Sequence, residues 1–271
     1  MKTLALVAII AFAAASCTKA ATTTSQKPGV RVSVVDVQDG DSLLVEVDGI
    51  EERVRLIGVN APEHDECFGQ ESAAGLRSLI DDREVQIVTD VEAGDQYGRL
   101  LAYVYRDGIL INEEIALRGL ALARAYEPNT ELQGRIDAAA QDARENQRGM
   151  WSPATCASQS GASVTVAEIE PNPPGPDGGN LNGEWVVIAN TGDSMIDLTG
   201  WILRDASSVH RYLFRAGTSI ASGSDLVVHT GCGDDDARRR YWCEDGPVWD
   251  NTGDTALLLD ADGRMTATFD Y

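Results

Sequence analysis

Three short stretches in the first half of the chain carry side chains that could act together on a phosphodiester. They are Asp39-Gly40-Asp41-Ser42, then the run RLIGVNAPE from Arg55 to Glu63, then Asp95-Gln96-Tyr97-Gly98-Arg99. Between them they offer carboxylates, an amide oxygen and two arginines. A hard cation such as calcium takes oxygen ligands from carboxylates, carbonyls and water. Such a cation polarises a phosphate and orients a water, whose proton a neighbouring carboxylate can accept. Guanidinium forks match phosphate oxygens two at a time and stabilise charge that grows in the transition state. Each stretch alone has a plainer reading: Asp41 as a turn cap, Arg55 with Glu63 as a structural ion pair, Tyr97 as barrel packing. Their joint occurrence favours the chemical one.

These residues need a scaffold, and the surrounding pattern supplies one. Residues 30–58 read as β structure, with Val32, Val34 and Val35 in one run, Leu43, Val45 and Val47 in the next, and Asp48-Gly49 as a hairpin turn. A helix is expected over 70–80, strands around Val85–Val88 and Leu100–Tyr105, and another turn at Asp107-Gly108. Asn112 is expected to cap a short helix that stops at Gly119. A longer helix is expected from Thr130 to Gln147, with Leu132, Ile136, Ala139 and Ala143 on one face. Five strands with three helices fit a closed barrel of the OB type, a fold often used on oligonucleotides.

Pro153 to Ala162 reads as a linker. Beyond it, turn signals such as Thr252-Gly253-Asp254 separate short strands, expected at Gly183–Ala189, Ile196–Leu203, Arg211–Ile220, Leu226–His229, Ala256–Leu259 and Thr266–Phe269. That spacing suggests an immunoglobulin-like β-sandwich. The expected class is therefore mainly β with α. The expected domains are a leader over 1–17, a tether over 18–29, a barrel over 30–152, a linker over 153–162 and a sandwich over 163–271.

The net charge is −21, and the acidity is spread along the chain: 25 acidic against 12 basic residues over 30–152, and 18 against 7 over 153–271. Such a surface keeps a protein soluble and repels bulk anionic polymers, which excludes a general nucleic-acid coat. It suits a salty habitat, where screening is strong. Action on nucleic acid requires cations and a local arginine cluster. Arg238-Arg239-Arg240 does not supply one, because Asp234-Asp235-Asp236 precedes it and no aromatic-rich basic groove surrounds it.

The first residues form a short charged start and an apolar run from Leu4 to Ala15, ending Ala14-Ala15-Ser16-Cys17. This reads as an export signal with lipid attachment at Cys17, and hence membrane anchoring, or else as ordinary cleavage nearby. Residues 18–29 form a polar tether. In an oxidising compartment the other four cysteines should pair, and domain logic favours Cys67–Cys156 and Cys232–Cys243 among the three pairings possible. A zinc site is the rival reading, but no CxxC or close histidine pair supports it.

The three stretches resemble the signature of the staphylococcal nuclease family, and the likeness runs from about Val30 to Ser152. The fourteen-residue step from Asp41 to Arg55, the eight-residue step to Glu63, Tyr97-Gly98-Arg99 before Leu101-Ala102-Tyr103, and the closing Gly149-Met150-Trp151-Ser152 all fit. The resemblance implies a calcium-dependent nuclease that cuts DNA and RNA between phosphorus and the 5′ oxygen, leaving 3′-phosphates. It implies calcium bound by the Asp41 carboxylate, by Asn60 and by the carbonyl of Ala61. Glu63 would be the general base, Arg55 and Arg99 would hold the phosphate, and Tyr97 and Tyr126 would contact the nucleotide. Asn60 stands where the family usually has a second aspartate, and Arg124 where the reference nuclease has a tyrosine.

Residues 164–271 resemble the lamin-tail family through Gly183-Glu184-Trp185-Val186, Asp197-Leu198-Thr199-Gly200-Trp201 and Val248-Trp249-Asp250-Asn251-Thr252-Gly253-Asp254. That resemblance implies a binding or positioning module with an unidentified partner, and makes Trp185, Trp201 and Trp249 core or corner residues. A monomer is expected. The alternative is a non-catalytic envelope protein that binds nucleic acid or acts as a scaffold.

Overall fold

The computed structural model describes residues 29–80, 84–207 and 209–271. The leader, Cys17 and the tether up to residue 28 lie outside them. Among the described residues no helix is long and apolar enough to cross a membrane.

The first body is a barrel. Strand β1 (Val30–Val37) pairs antiparallel with β2 (Ser42–Val47), which turns through Asp48 and Gly49 into β3 (Ile50–Leu56). Both turn residues have positive φ, as a two-residue hairpin that follows strand twist requires. The two-residue strand β4 (Val59–Asn60) follows at once. Strand β5 (Glu84–Val88) pairs with β1 and with β6 (Leu100–Arg106), and β6 closes the barrel by running parallel to β3, Arg55 opposite Leu101. Closure removes the free sheet edges. Leu43, Val45, Val54, Leu56, Ala102 and Val104 point inward and are fully buried. Helix α1 (Gly69–Ile80) adds Leu76 and Ile80 to that core, and α3 (Gln133–Glu145) adds Ile136 and Ala140.

Two local expectations change. Asn112 does not cap its helix. Helix α2 (Ile111–Leu117) begins after Leu110, without a side-chain cap, and Asn112 lies inside it with no exposed surface. Its Oδ1 accepts from Val104 N at 2.8 Å, and its Nδ2 donates to Ile57 O at 2.7 Å. The amide satisfies barrel backbone that would otherwise be buried without partners. Helix α3 starts three residues later than expected, because Thr130 to Leu132 form a turn in which Gln133 N donates to Thr130 O at 3.0 Å.

The second body is a sandwich of two four-stranded sheets. One contains Val164–Glu170, Trp185–Asn190, Asp225–His229 and Arg239–Tyr241; the other contains Arg211–Leu213, Ile202–Arg204, Thr255–Leu259 and Met265–Asp270. Val186, Ile188, Leu203, Phe214, Leu258 and Trp249 fill the space between. Trp201 is also buried there, and Trp185 is half-buried. The expected runs 196–203 and 211–220 each break into two strands, at Gly200 and Gly217, both with positive φ. Val164–Glu170 and Arg239–Tyr241 were not anticipated as strands, since glutamates and arginines interrupt their apolar pattern. The arginine run is neutralised locally, as expected: Arg239 and Arg240 face Asp236 and Asp235.

The two bodies are tied together. Cys67 is bonded to Cys156, with Cα atoms 5.8 Å apart, and Cys232 is bonded to Cys243. Within 153–162, Ser158 N donates to Met265 O and Met265 N donates to Cys156 O, both at 2.7 Å. Leu122 and Met150 from the barrel side bury themselves against Ala206, Leu257 and Leu259.

Candidate active site

Asp41 immediately precedes β2, and its carbonyl accepts from Leu56 N at 2.9 Å, which fixes it beside the end of β3. Gly40 lets the chain press onto α1: a Cβ there would lie 1.9 Å from Ser72 Oγ. Asp41 Oδ2 accepts from Ala61 N at 2.6 Å and lies 3.0 Å from Arg55 Nη2. Asp39 caps the turn, its Oδ1 accepting from Asp41 N at 2.9 Å.

Arg55, the penultimate residue of β3, has its guanidinium folded over the β3–β4 turn. Gly58, at φ +82°, makes that turn possible. Arg55 Nη1 donates to Leu56 O at 2.7 Å and Val59 O at 2.8 Å, and Nη2 donates to Asn60 Oδ1 at 2.9 Å. Asn60 Nδ2 is buried without a partner among the described residues. Burial pushes the Asp41 carboxyl up to about 6; Arg55 opposes this, Asp39 adds to it, and the Ala61 N–H opposes it. A buried carboxylate held that high is under-compensated by one guanidinium.

Glu63 follows buried Pro62 with its side chain exposed. Its backbone is held at both ends: Glu63 N donates to Glu66 Oε2 at 3.0 Å, and Glu66 N donates to Glu63 O at 2.9 Å. Gly69 is required behind it, since a Cβ there would lie 1.9 Å from Glu63 O. Arg99 lines the same cleft. Asp95 Oδ2 accepts from Arg99 Nε at 2.7 Å, and Asp95 Oδ1 accepts from the N–H groups of Tyr97 and Arg99, both at 2.9 Å. Although its slight burial pushes the Asp95 carboxyl up, the Arg99 and Tyr97 donors hold it below its ordinary value. The exposed Tyr97 ring sits 5.5 Å from the Arg99 guanidinium. Tyr126 lies between two guanidinium groups, 5.8 Å from Arg55 and 5.7 Å from Arg124.

Asp41, Arg55, Asn60, Ala61, Glu63, Tyr97, Arg99 and Tyr126 all line one cleft of about 660 Å³. It is large enough for part of a nucleic-acid strand. Asp41 and the Asn60 amide bring hard oxygens to the cleft, the donor type that calcium takes and zinc does not favour. Among the described residues no three His, Cys, Asp or Glu side chains cluster as a metal cage. The oxygens at Asp41 would have to be supplemented by Asn60, carbonyls and water. His64 is exposed and does not line the cleft.

Sequence reading gave no role to several lining residues. Asp39 and Asp95 lie within the marked stretches, at short steps from Asp41 and Arg99, and a turn signal could have found them. Ser207, Val209 and His210, from the second body, also line the cleft. No local pattern links them to residues more than eighty positions earlier.

A closed five-stranded barrel carrying this constellation on its rim, followed by a sandwich, is the architecture of a nuclease-type barrel joined to a tail domain. The family model described as staphylococcal nuclease homologue matches residues 53–153, and that of the lamin tail domain matches residues 157–271. The thermonuclease of Staphylococcus hyicus is 34% identical over 125 residues, covering 44% of this chain and 74% of that protein. The thermonuclease of Staphylococcus intermedius is 35% identical over 121 residues, 42% of this chain and 72% of that protein. Endonuclease YncB of Bacillus subtilis (strain 168) is 33% identical over 136 residues, 47% of this chain and 64% of that protein. The chain belongs to the staphylococcal nuclease family and carries a lamin tail domain after its nuclease-type barrel.

Proposed function

We propose that this protein is a calcium-dependent nuclease that hydrolyses phosphodiester bonds of DNA and RNA to 3′-phosphate products. The domains are taken as a nuclease barrel over 30–152 and a tail sandwich over 163–271, joined by 153–162. One observation carries the reading: the buried Asp41–Arg55 pair, 3.0 Å apart, lines one cleft together with Glu63 and Arg99. The names of its relatives, thermonuclease and endonuclease, point the same way.

Asp41, Asn60 and the Ala61 carbonyl would hold calcium, which when bound polarises the phosphate and orients the attacking water. Glu63, solvated and unencumbered by an ion pair among the described residues, accepts the proton from that water as the new P–O bond forms. Arg55 and Arg99 stabilise the charge gathered on the phosphoryl oxygens. Arg99, anchored by Asp95, also neutralises the 5′ oxygen as its bond to phosphorus breaks, and the phosphate stays on the 3′ side. Tyr97 and Tyr126 give flat faces to the sugar and base. The leader pattern is read as an export signal, with the protein either lipid-anchored at Cys17 or released by ordinary cleavage nearby.

Digestion of single-stranded DNA with and without chelator tests the proposal, with end-group analysis of the products. Cutting that needs calcium and yields 3′-phosphates supports it. Undiminished cutting in chelator removes the metal mechanism. Binding without cutting under any divalent ion favours the scaffold reading.

A further inference from the structure

The cleft is not built by the nuclease barrel alone. Ser207, Val209 and His210 of the tail sandwich line it together with Arg55 and Tyr126. Asp205, which has no exposed surface, fixes Ser207 and His210. Its Oδ1 accepts from Ser207 N at 2.9 Å and Ser207 Oγ at 2.6 Å. Its Oδ2 bonds His210 Nδ1 at 2.9 Å and accepts from Arg124 Nη1 at 3.0 Å. Arg124 Nη1 also donates to Asp254 Oδ2 at 2.7 Å. The guanidinium standing over Tyr126 is thereby committed to two buried carboxylates and is a poor phosphate ligand. A continuous chain of contacts runs from Arg55 through Tyr126, Arg124 and Asp205 to the His210 ring.

This arrangement fixes the imidazole. A carboxylate at Nδ1 holds the proton there, as in other carboxylate–histidine pairs, and leaves Nε2 at the far end of the ring. Nε2 has no partner among the described residues, and the ring is only partly buried at the cleft. The walls are rich in acids, including Asp39, Glu92 and Glu127. A polyanion entering that field needs every cation the cleft can offer.

Building on the nuclease reading, we propose that His210 is a substrate contact supplied by the tail domain: its Nε2 donates to a phosphate next to the one being cut. The tail domain then forms part of the nuclease cleft and selects strands with more than one phosphate over a single diester. The hydrogen bond to Asp205 raises the imidazole above its usual 6.5, burial opposes this, the Asp205 charge adds to it, Arg124 opposes and Glu244 adds. The ring therefore keeps its charge further into the neutral range. The positive contact is present below the ordinary histidine value and is lost as pH rises through the raised one.

The test is the affinity of the full chain for a fluorescent oligothymidylate, read by anisotropy in calcium. The Glu63→Gln background keeps the strand intact, and cutting by the unmodified protein is measured in parallel. Adding His210→Gln should weaken binding about five- to tenfold at pH 6.5 and less than twofold at pH 9, and should flatten the dependence of log affinity on log salt by roughly 0.7 for the lost phosphate contact. His210→Lys should restore affinity at pH 6.5 and keep it at pH 9, where the native imidazole has lost its charge. Equal affinities at pH 6.5, or a loss that is the same at both pH values and is not restored by lysine, would overturn the role of His210. Failure of the unmodified protein to cut would instead remove the nuclease reading, while the affinity series would still decide whether His210 holds phosphate.

Discussion

Arg55 Nη2 lies 3.0 Å from Asp41 Oδ2 and 2.9 Å from Asn60 Oδ1, so one guanidinium engages two of the oxygens proposed to hold calcium. With Nη1 on two backbone carbonyls, only Nε is left uncommitted. Without calcium, Arg55 acts as the internal counter-ion of the site. Calcium on those oxygens would compete with Nη2 and turn it toward phosphate, while Nη1 would keep its hold on Leu56 O and Val59 O. Metal and substrate binding should therefore be coupled through this side chain.

The raised Asp41 value gives a pH dependence in chelator. A carboxyl with a folded value near 6, against 3.8 when unfolded, holds its proton more tightly in the folded state. Its ionisation therefore costs stability as pH rises from about 4 through about 6. Asp41→Asn should melt higher than the unmodified protein at pH 8 in chelator, with the difference vanishing near pH 4. Paired thermal melts across that range check it, and calcium should reverse the order at pH 8.

Asn60 Nδ2 is buried without a partner among the described residues, so an isosteric carboxylate oxygen there would break no hydrogen bond. Asn60→Asp should tighten calcium binding about tenfold by adding a charged ligand. It should also lower stability in chelator by bringing a second carboxylate close to Asp41. Calorimetric calcium titration reads the first effect and melting temperature the second; a weaker calcium affinity would show that this side chain does not face the ion.

Arg124 is shared by two buried carboxylates across the two bodies. Asp254 is already raised by burial despite the arginine. Arg124→Ala should cost about 3–5 kcal/mol, since it leaves buried Asp254 without a counter-charge and Asp205 with only His210 as a charge partner. Urea unfolding at pH 7 measures the loss, which should shrink at pH 4, where the acids can take up protons.

Much of the barrel was legible in the sequence because local chemistry dictated it. Asp48-Gly49 sets the hairpin, and the alternation around Leu43 and Val45 sets which face is buried. Asp41, Arg55 and Glu63 lie within one continuous strand–turn–strand passage, so their spacing alone nearly fixes their proximity. Asn112 misled because an amide before a helical run has the same local signature whether it caps the helix or satisfies a neighbouring strand. The role of Arg124 was hidden for a related reason: its partners Asp205 and Asp254 are distant in sequence, and only the docking of the sandwich brings them together. His210 enters the cleft by the same docking.

The most direct test of the account is the turnover of single-stranded DNA by Glu63→Gln at saturating calcium. Glu63 is exposed and its side chain has no bond among the described residues, so the substitution should leave the melting temperature unchanged. Turnover should fall by at least ~10², with strand affinity within about twofold, if this carboxylate takes the proton of the attacking water. Cutting at the rate of the unmodified protein would contradict the proposed chemistry of the cleft.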